Sequence, residues 1–420
     1  METISNKLLI IGFVWPEPNS TAAGSRMLQL IHFFIAQGYE LTFASTATKN
    51  EHSVNLSDLG VKERSIRLNH DSFDDFIKEL APQIVLFDRF MVEEQFGWRV
   101  AEYLPKALRI LDTEDIHSLR TSRETQFKAG LPFSERDWLL SDMAKREIAS
   151  IYRSDLSLII SSHEMELLQK TAKIDTSLLL HLPFMITNLN EEQTTNWLPF
   201  EPRKDFICIG SGRHAPNIDA VVWLKNEIWP LIRAQLPKAD LRIYGSYLPE
   251  SITQLHRPAD GFYVMGRAKD AMQVMANAKV SLAPLRFGAG IKGKLAESML
   301  VGTPNVTTSI GAEGMCEQFH WNGKIENDPT YFANAAVQLY QDRKLWEQAQ
   351  KNGTTIINQC YDKALLEDRL GRKIEKLLRN LDTHRDKNLI GVLLLHHTMA
   401  STKYMAKWIG AKNRAGGSEG

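Results

Sequence analysis

The chain has 420 residues, 43% of them hydrophobic and 24% charged, with Lys+Arg and Asp+Glu at 50 each. That length predicts two or three domains, and that composition belongs to a folded globular chain, not a disordered one. Zero formal net charge removes any global electrostatic case for nucleic acid and leaves only a local basic site to bind an anion.

In chain order, the first apolar run, residues 8–15, follows a single cation, Lys7, and precedes Pro16-Glu17-Pro18-Asn19. It reads as a buried strand, not a leader peptide. No run reaches the ~18 apolar residues of a membrane span. Continuous apolar strands are predicted at 7–13, 40–45, 83–88, 109–112 and 156–161, with helices at 24–37, 72–80, 93–103 and 134–152. Unbroken apolar strands fit a parallel sheet covered on both faces, and the alternation predicts a doubly wound α/β domain over residues 1–185. Residues 186–204 are polar and aperiodic, with Pro199 and Pro202, and read as a linker.

The series then restarts. Strands are predicted at 205–210, 241–245, 262–266, 280–285 and 304–310, with helices at 217–234, 292–300, 330–351 and 363–381. A second domain is therefore expected over 205–380. Residues 381–420 are expected to be a helical segment crossing back to the first domain, with a disordered tail from Arg414. Leu389, Val392, Leu393 and Met399 give that segment an apolar face beside His396, His397, Lys403 and Lys407. A docked helix is the expected form, with peripheral membrane contact the alternative. Cys208, Cys316 and Cys360 are scattered and odd in number, which excludes a disulfide framework or a four-ligand zinc site and suits a reducing cytoplasm.

The densest chemistry lies in Arg286-Phe287-Gly288-Ala289-Gly290-Ile291-Lys292-Gly293-Lys294, between a strand and a helix. Glycines let a backbone come close to a ligand, a helix start offers unpaired N–H groups, and Arg286, Lys292 and Lys294 add charge. The stretch predicts a diphosphate site. It misses the nucleotide-hydrolase pattern G-x-x-x-x-G-K-[ST] at Leu295, where a hydroxyl would bind Mg²⁺. Glu297, one turn on, can accept hydrogen bonds from ribose hydroxyls or simply favour the helix dipole. Gly210-Ser-Gly212-Arg-His-Ala215 fits a dinucleotide fingerprint, but no acidic residue closes the next strand. Arg213 is a candidate second diphosphate contact. The loop 16–26, with Gly24, can approach an anion or a sugar. His117, after the strand 109–112 and beside Glu114, Asp115 and Arg120, can bond a sugar hydroxyl.

The segment from Phe287 to Glu297, with Gly302-Thr-Pro304 and Gly311-Ala-Glu-Gly314, resembles the donor domain of family-4-like glycosyltransferases of the GT-B fold. Ile209-Gly210, His214, Pro216-Asn217 and Asp219-Ala220 extend the resemblance upstream. Gly24-Ser-Arg26, residues 112–120 and Ser161-Ser-His-Glu164 extend it more loosely into the first half. The resemblance implies two Rossmann-like domains facing across a cleft, an acceptor-binding first domain and a nucleotide-sugar-binding second. The implied donor-binding residues are Gly24, Arg213, Gly266, Arg267, Phe287, Gly288, Ala289, Gly290, Ile291, Lys292, Lys294 and Glu297, with His117 and Lys292 catalytic. It implies transfer from a nucleoside-diphosphate sugar to a glycan, lipid-linked or protein acceptor, in the cytoplasm or at the inner membrane surface. No cofactor beyond the co-substrate and no metal are expected, because no Asp-x-Asp triplet occurs. Retention is expected, because the first loop lacks the histidine that inverting members use. One departure stands out: many members carry a glutamate where this chain has Ala289, and its role is expected to pass to backbone N–H groups of 288–290. A phosphate-loop hydrolase and an inactive nucleotide-sugar-binding protein are the alternatives.

Overall fold

Leu8, Leu9, Ile10 and Ile11 are all at most 1% exposed in the computed structural model, which describes residues 6–315 and 318–416. They form the centre of β1 (Lys7–Gly12). Burial on both faces is what their unbroken apolar run requires, and each such side chain contributes about 1.5–3 kcal/mol by leaving water. Around β1 lie β2 (Glu40–Ser45), β3 (Lys62–Ser65), β4 (Ile84–Asp88), β5 (Leu108–Asp112), β6 (Leu156–Ile159) and β7 (Leu179–His181). All pair in parallel, in the order β3-β2-β1-β4-β5-β6-β7.

The second sheet holds β8 (Lys204–Ile209), β9 (Leu241–Tyr244), β10 (Phe262–Gly266), β11 (Ala278–Ala283), β12 (Asn305–Thr307) and β13 (Gly323–Ile325). Its order is β10-β9-β8-β11-β12-β13, again all parallel. Each sheet thus reverses its winding at one strand, β1 in the first and β8 in the second. Ligand sites in such sheets form past the carboxyl ends of the strands at that reversal.

The expected strands are present, and three more join them. β3, β7 and β13 are edge strands of three or four residues. Edge strands need no unbroken apolar run, so the sequence pattern does not mark them. The expected strand 304–310 stops at Thr307, because the Thr308 side chain caps a turn of helix, Ser309–Ala312. The expected helices 134–152 and 330–351 are each divided, at Ser141 and Asp342, whose side chains accept the N–H groups of Ala144 and Leu345.

Helix Lys363–Arg379, expected with the second domain, packs instead on the first. Leu366, Leu370, Ile374 and Leu377, one helical face, join the core of β1, β5 and β6. The chain crosses between the units at one place, where Ile186 pairs with Asp362 and Lys363 N donates to Ile186 O at 2.9 Å. Beyond it, Arg385 makes a two-pronged ion pair with buried Asp155 at 2.7 Å. Helix Leu389–Gly416 follows, so the expected disordered tail is helical through residue 416, and its last residues, 417–420, lie outside the described residues. No helix among the described residues is long and apolar enough to cross a membrane. Cys208 is a buried free thiol, but Cys360 is disulfide-bonded, where the cysteine spacing predicts no bridge.

Candidate active site

The two reversals face one another across a cleft of ≈ 750 Å³. Its walls are loops after strands: 18–25 after β1, 114–120 after β5, 209–217 after β8 and 285–297 after β11.

The cationic wall is the loop after β11. Gly290 has φ +64, and a Cβ there would stand 2.8 Å from the Asp115 Cβ. Only glycine lets this bend turn left-handed while pressed on the opposite unit. Helix Gly293–Leu300 then starts with no side-chain cap, and Gly293 and Lys294 line the cleft. An uncapped N-terminus facing a cavity is an anion site by geometry and by dipole. Lys292 Nζ donates to Gly290 O at 2.7 Å and Ala289 O at 3.1 Å. Burial lowers its pKa to about 8, against the opposing pull of Glu313 and Glu164. Lys294 Nζ donates to Asn217 Oδ1 at 2.6 Å. Gly210 makes room for that ammonium, since a Cβ there would fall 2.6 Å from it. The glycine of the apparent dinucleotide fingerprint therefore answers to a lysine in the first turn of helix Gly293–Leu300. Burial raises the Glu297 pKa, with Lys294 opposing.

The acidic wall comes from the first unit. Arg26 is buried and bonds Asp112 at 2.8 and 2.9 Å and Leu182 O at 2.7 Å, so the Gly24-Ser-Arg26 segment is structural bracing. Glu114 has φ +63, and one buried carboxylate oxygen has no hydrogen-bond partner. Burial, with Asp112 adding repulsion, raises its pKa to about 8. His117 Nδ1 lies 3.1 Å from Asp115 O. A carbonyl only accepts, so the proton sits on Nδ1 and Nε2 is an acceptor. Burial lowers the His117 pKa to about 4, with Asp115 opposing, so the ring is neutral at pH 7.

Glu164 joins the walls. Its Oε1 accepts from Ile116 N at 2.9 Å and from Gly290 N at 2.8 Å, and burial raises its pKa to about 8. Arg123 reaches from the first unit to Gly288 O at 2.9 Å and Glu313 at 2.8 Å. Sequence reasoning missed Glu164, Arg123, Glu313 and His214 as members of this site. The motif Ser161-Ser-His-Glu164, the Gly311-Ala-Glu-Gly314 turn and the resemblance at His214 were signals for three of them, and Arg123 had none.

Of the expected residues, His117, Gly288, Ala289, Gly290, Ile291, Lys292, Lys294 and Glu297 line the cleft together. Five do not line it. Gly24 N bonds the Thr21 cap at 3.0 Å behind the wall. Arg213 lies 3.5 Å over the Tyr247 ring with its side chain 56% exposed, and His214 takes the place beside the cleft. Gly266 and Arg267 stop short of it, where Lys269 and Asp270 continue the wall. Phe287 packs on Phe127 with ring centres 5.3 Å apart. Arg286, expected to add charge, is bound in both prongs to Asp219 at 2.6 and 2.9 Å. Of the loop amides at 288–290 expected to take over the missing carboxylate's role, that of Gly290 is already held by Glu164. Among the described residues, no group of three or more His, Cys, Asp or Glu is arranged to hold a metal.

Residues 203–342 match the family model described as Glycosyl transferases group 1. A glycosyltransferase from Rickettsia africae is 12% identical, with TM-score 0.63 over 89% of this chain and 99% of that one. Sucrose-phosphate synthase from Thermosynechococcus elongatus is 14% identical, with TM-score 0.65 over 89% and 99%. Anabaena HepE, solved with UDP and glucose, is 14% identical, with TM-score 0.60 over 88% and 99%. These likenesses establish the fold, two Rossmann-like units in the GT-B arrangement. Against curated protein sequences the chain has no significant match.

Proposed function

We propose that this chain, a GT-B protein with a group 1 glycosyltransferase domain at residues 203–342, transfers a sugar from a nucleoside-diphosphate sugar to a hydroxyl acceptor without a metal. The observation that carries this reading is the uncapped helix start at Gly293 opening on the cleft between two half-buried lysines, Lys292 and Lys294. Departure of the sugar leaves its bonding electron pair on the bridging oxygen and so adds a negative charge to the distal phosphate. Fixed N–H groups and ammonium groups aimed at that position lower the barrier without reorganising. The cations already supply the charge that a divalent ion would bring. Glu297, one turn along, takes the ribose hydroxyls in this reading, and Lys269 with Asp270 borders the base. His117 Nε2 accepts a hydroxyl of the transferring sugar.

Retention at the anomeric carbon, by attack on the leaving-group face, is the proposed stereochemistry. It is supported by the first loop, where the single carboxylate, Glu17, is already bonded to Tyr247 at 2.9 Å and Asn50 at 2.7 Å. Glu17 also does not line the cleft, so this loop aims no carboxylate at the opposite face of the sugar. The acceptor class stays as broad as glycan, lipid-linked sugar or protein.

The test is a thermal-shift screen of UDP-, GDP-, ADP- and CMP-sugars, because a ligand that binds only the native state raises its melting temperature. Turnover of the stabilising donor with chelator present follows, with the product anomer read by NMR. A melting temperature unmoved by every donor removes the reading. Transfer that stops with chelator removes metal independence, and an inverted product removes retention.

A further inference from the structure

Among the described residues, exposed apolar surface concentrates on one element outside the cleft. Helix Leu389–Gly416 lies across helices Asp142–Arg153 and Phe90–Tyr103 of the first unit. Its inner side is well fixed. Gly391 rests against Tyr152 O, Asn388 Nδ2 donates to that oxygen at 2.7 Å, Ala406 is buried, and Lys403 pairs with Glu102 at 2.7 Å.

The outer side is apolar. Leu389, Ile390, Leu393, Tyr404 and Trp408 are 50–68% exposed. At about 100° per residue they fall within about 100° of arc, two apolar groups, at residues 389–393 and 404–408, on one side of the helix. Lys407 and Lys412 stand at the two edges of that arc, and the Lys412 ammonium lies 5.3 Å from the Trp408 ring. The whole helix contains no Asp or Glu.

We infer that this outer face lies in the headgroup region of an anionic lipid surface. An aliphatic and aromatic face edged by lysines, on a helix with no acidic residue, matches that environment in both polarity and charge. Tyr404 and Trp408 carry a polar tip on an apolar body, which suits the boundary between headgroup and acyl chain. The helix does not span, since it lacks a long enough apolar stretch among the described residues. A second copy of the chain fits less well. Face against face would bring the lysines of two helices together with no carboxylate on either to answer them.

The inference does not depend on the transferase reading, and its readout is vesicle binding, not turnover. The full chain is floated with vesicles of phosphatidylcholine, alone or mixed with phosphatidylglycerol. It is expected to float with the anionic mixture and to be released by raised salt. Leu393→Glu with Trp408→Glu is expected to lower partitioning at least tenfold at an unchanged melting temperature. Lys407→Glu with Lys412→Glu is expected to lower it about fivefold or more for each lysine, on the anionic vesicles only. Three results overturn the inference: no flotation with anionic vesicles, flotation of both variants like the parent, or light scattering in which the Leu393/Trp408 variant splits a dimer while the parent ignores vesicles.

Discussion

The two rims of the cleft are built on the same winding rule yet carry opposite chemistry. After β11 the second unit presents one short, contiguous, cationic segment: a glycine bend, a bare helix start and two lysines within residues 288–294. After β5 the first unit presents acids from two places: buried Asp112 with half-buried Glu114 and Asp115, joined by buried Glu164 from the short helix Ser162–Glu166 after β6. Gly290 binds Glu164, and Arg123 binds Gly288, so each rim is finished by the other. Neither unit alone holds a complete site. A phosphate grip can be local, because helix N–H groups and glycines act over a few residues. A carboxylate cluster needs the fold to gather acids away from water, and it is burial that raises the pKa of Glu114 and Glu164 there.

The comparison breaks most sharply at Lys292. Replacement by Ala is expected to lower donor turnover about 10²–10³-fold, as for loss of one fixed donor at a developing charge. In the parent, donor affinity is expected to fall above about pH 8, where Lys292 loses its proton; a flat titration across that range would falsify its role as the charged contact. Gly290→Ala comes next. A left-handed φ and a Cβ contact of 2.8 Å with Asp115 predict a loss of about 1–3 kcal/mol in chemical denaturation and weaker donor binding. An unchanged denaturation midpoint would show that the two rims are not pressed together.

Glu297→Gln is expected to weaken donor binding about tenfold, from the loss of a charged acceptor, and a calorimetric titration with the nucleoside diphosphate checks it. The acidic rim is sharpened by pH. Glu114 and Glu164 titrate near 8 in the fold against 4.5 ordinarily. Groups raised in this way contribute in full below about pH 4.5 and lose that contribution as pH rises to about 8. His117 and His214, lowered to about 4 by burial, act oppositely and contribute above about pH 6.5. Between pH 6.5 and 8 the carboxyls therefore prevail, and the melting temperature is expected to fall. Glu164→Gln is expected to shrink that fall; an equal slope in both proteins would return Glu164 to the ordinary carboxylate range. The smallest effect belongs to Arg213→Ala, about twofold or less on turnover, since that side chain lies over Tyr247 outside the cleft.

The central strands of both sheets could be read from the residues, because strands buried on two faces must be continuously apolar. The cationic rim was equally legible, since everything it needs is contiguous. The short edge strands β3, β7 and β13 were not, for they pair with a single neighbour and carry no such constraint. The sequence also misassigned Arg286 and Arg213. An arginine near a glycine bend looks free until the fold supplies Asp219 for one and a tyrosine ring for the other.

By itself, then, the order of amino acids determined the two α/β units and the anion-binding bend of the second, because strand burial and helix-start chemistry are local properties. Tertiary structure alone decided which groups oppose that bend, how Glu164 and Arg123 clasp it, and where the helix of residues 363–379 packs. Those depend on contacts between segments more than a hundred residues apart, and no short-range pattern encodes a partner that distant.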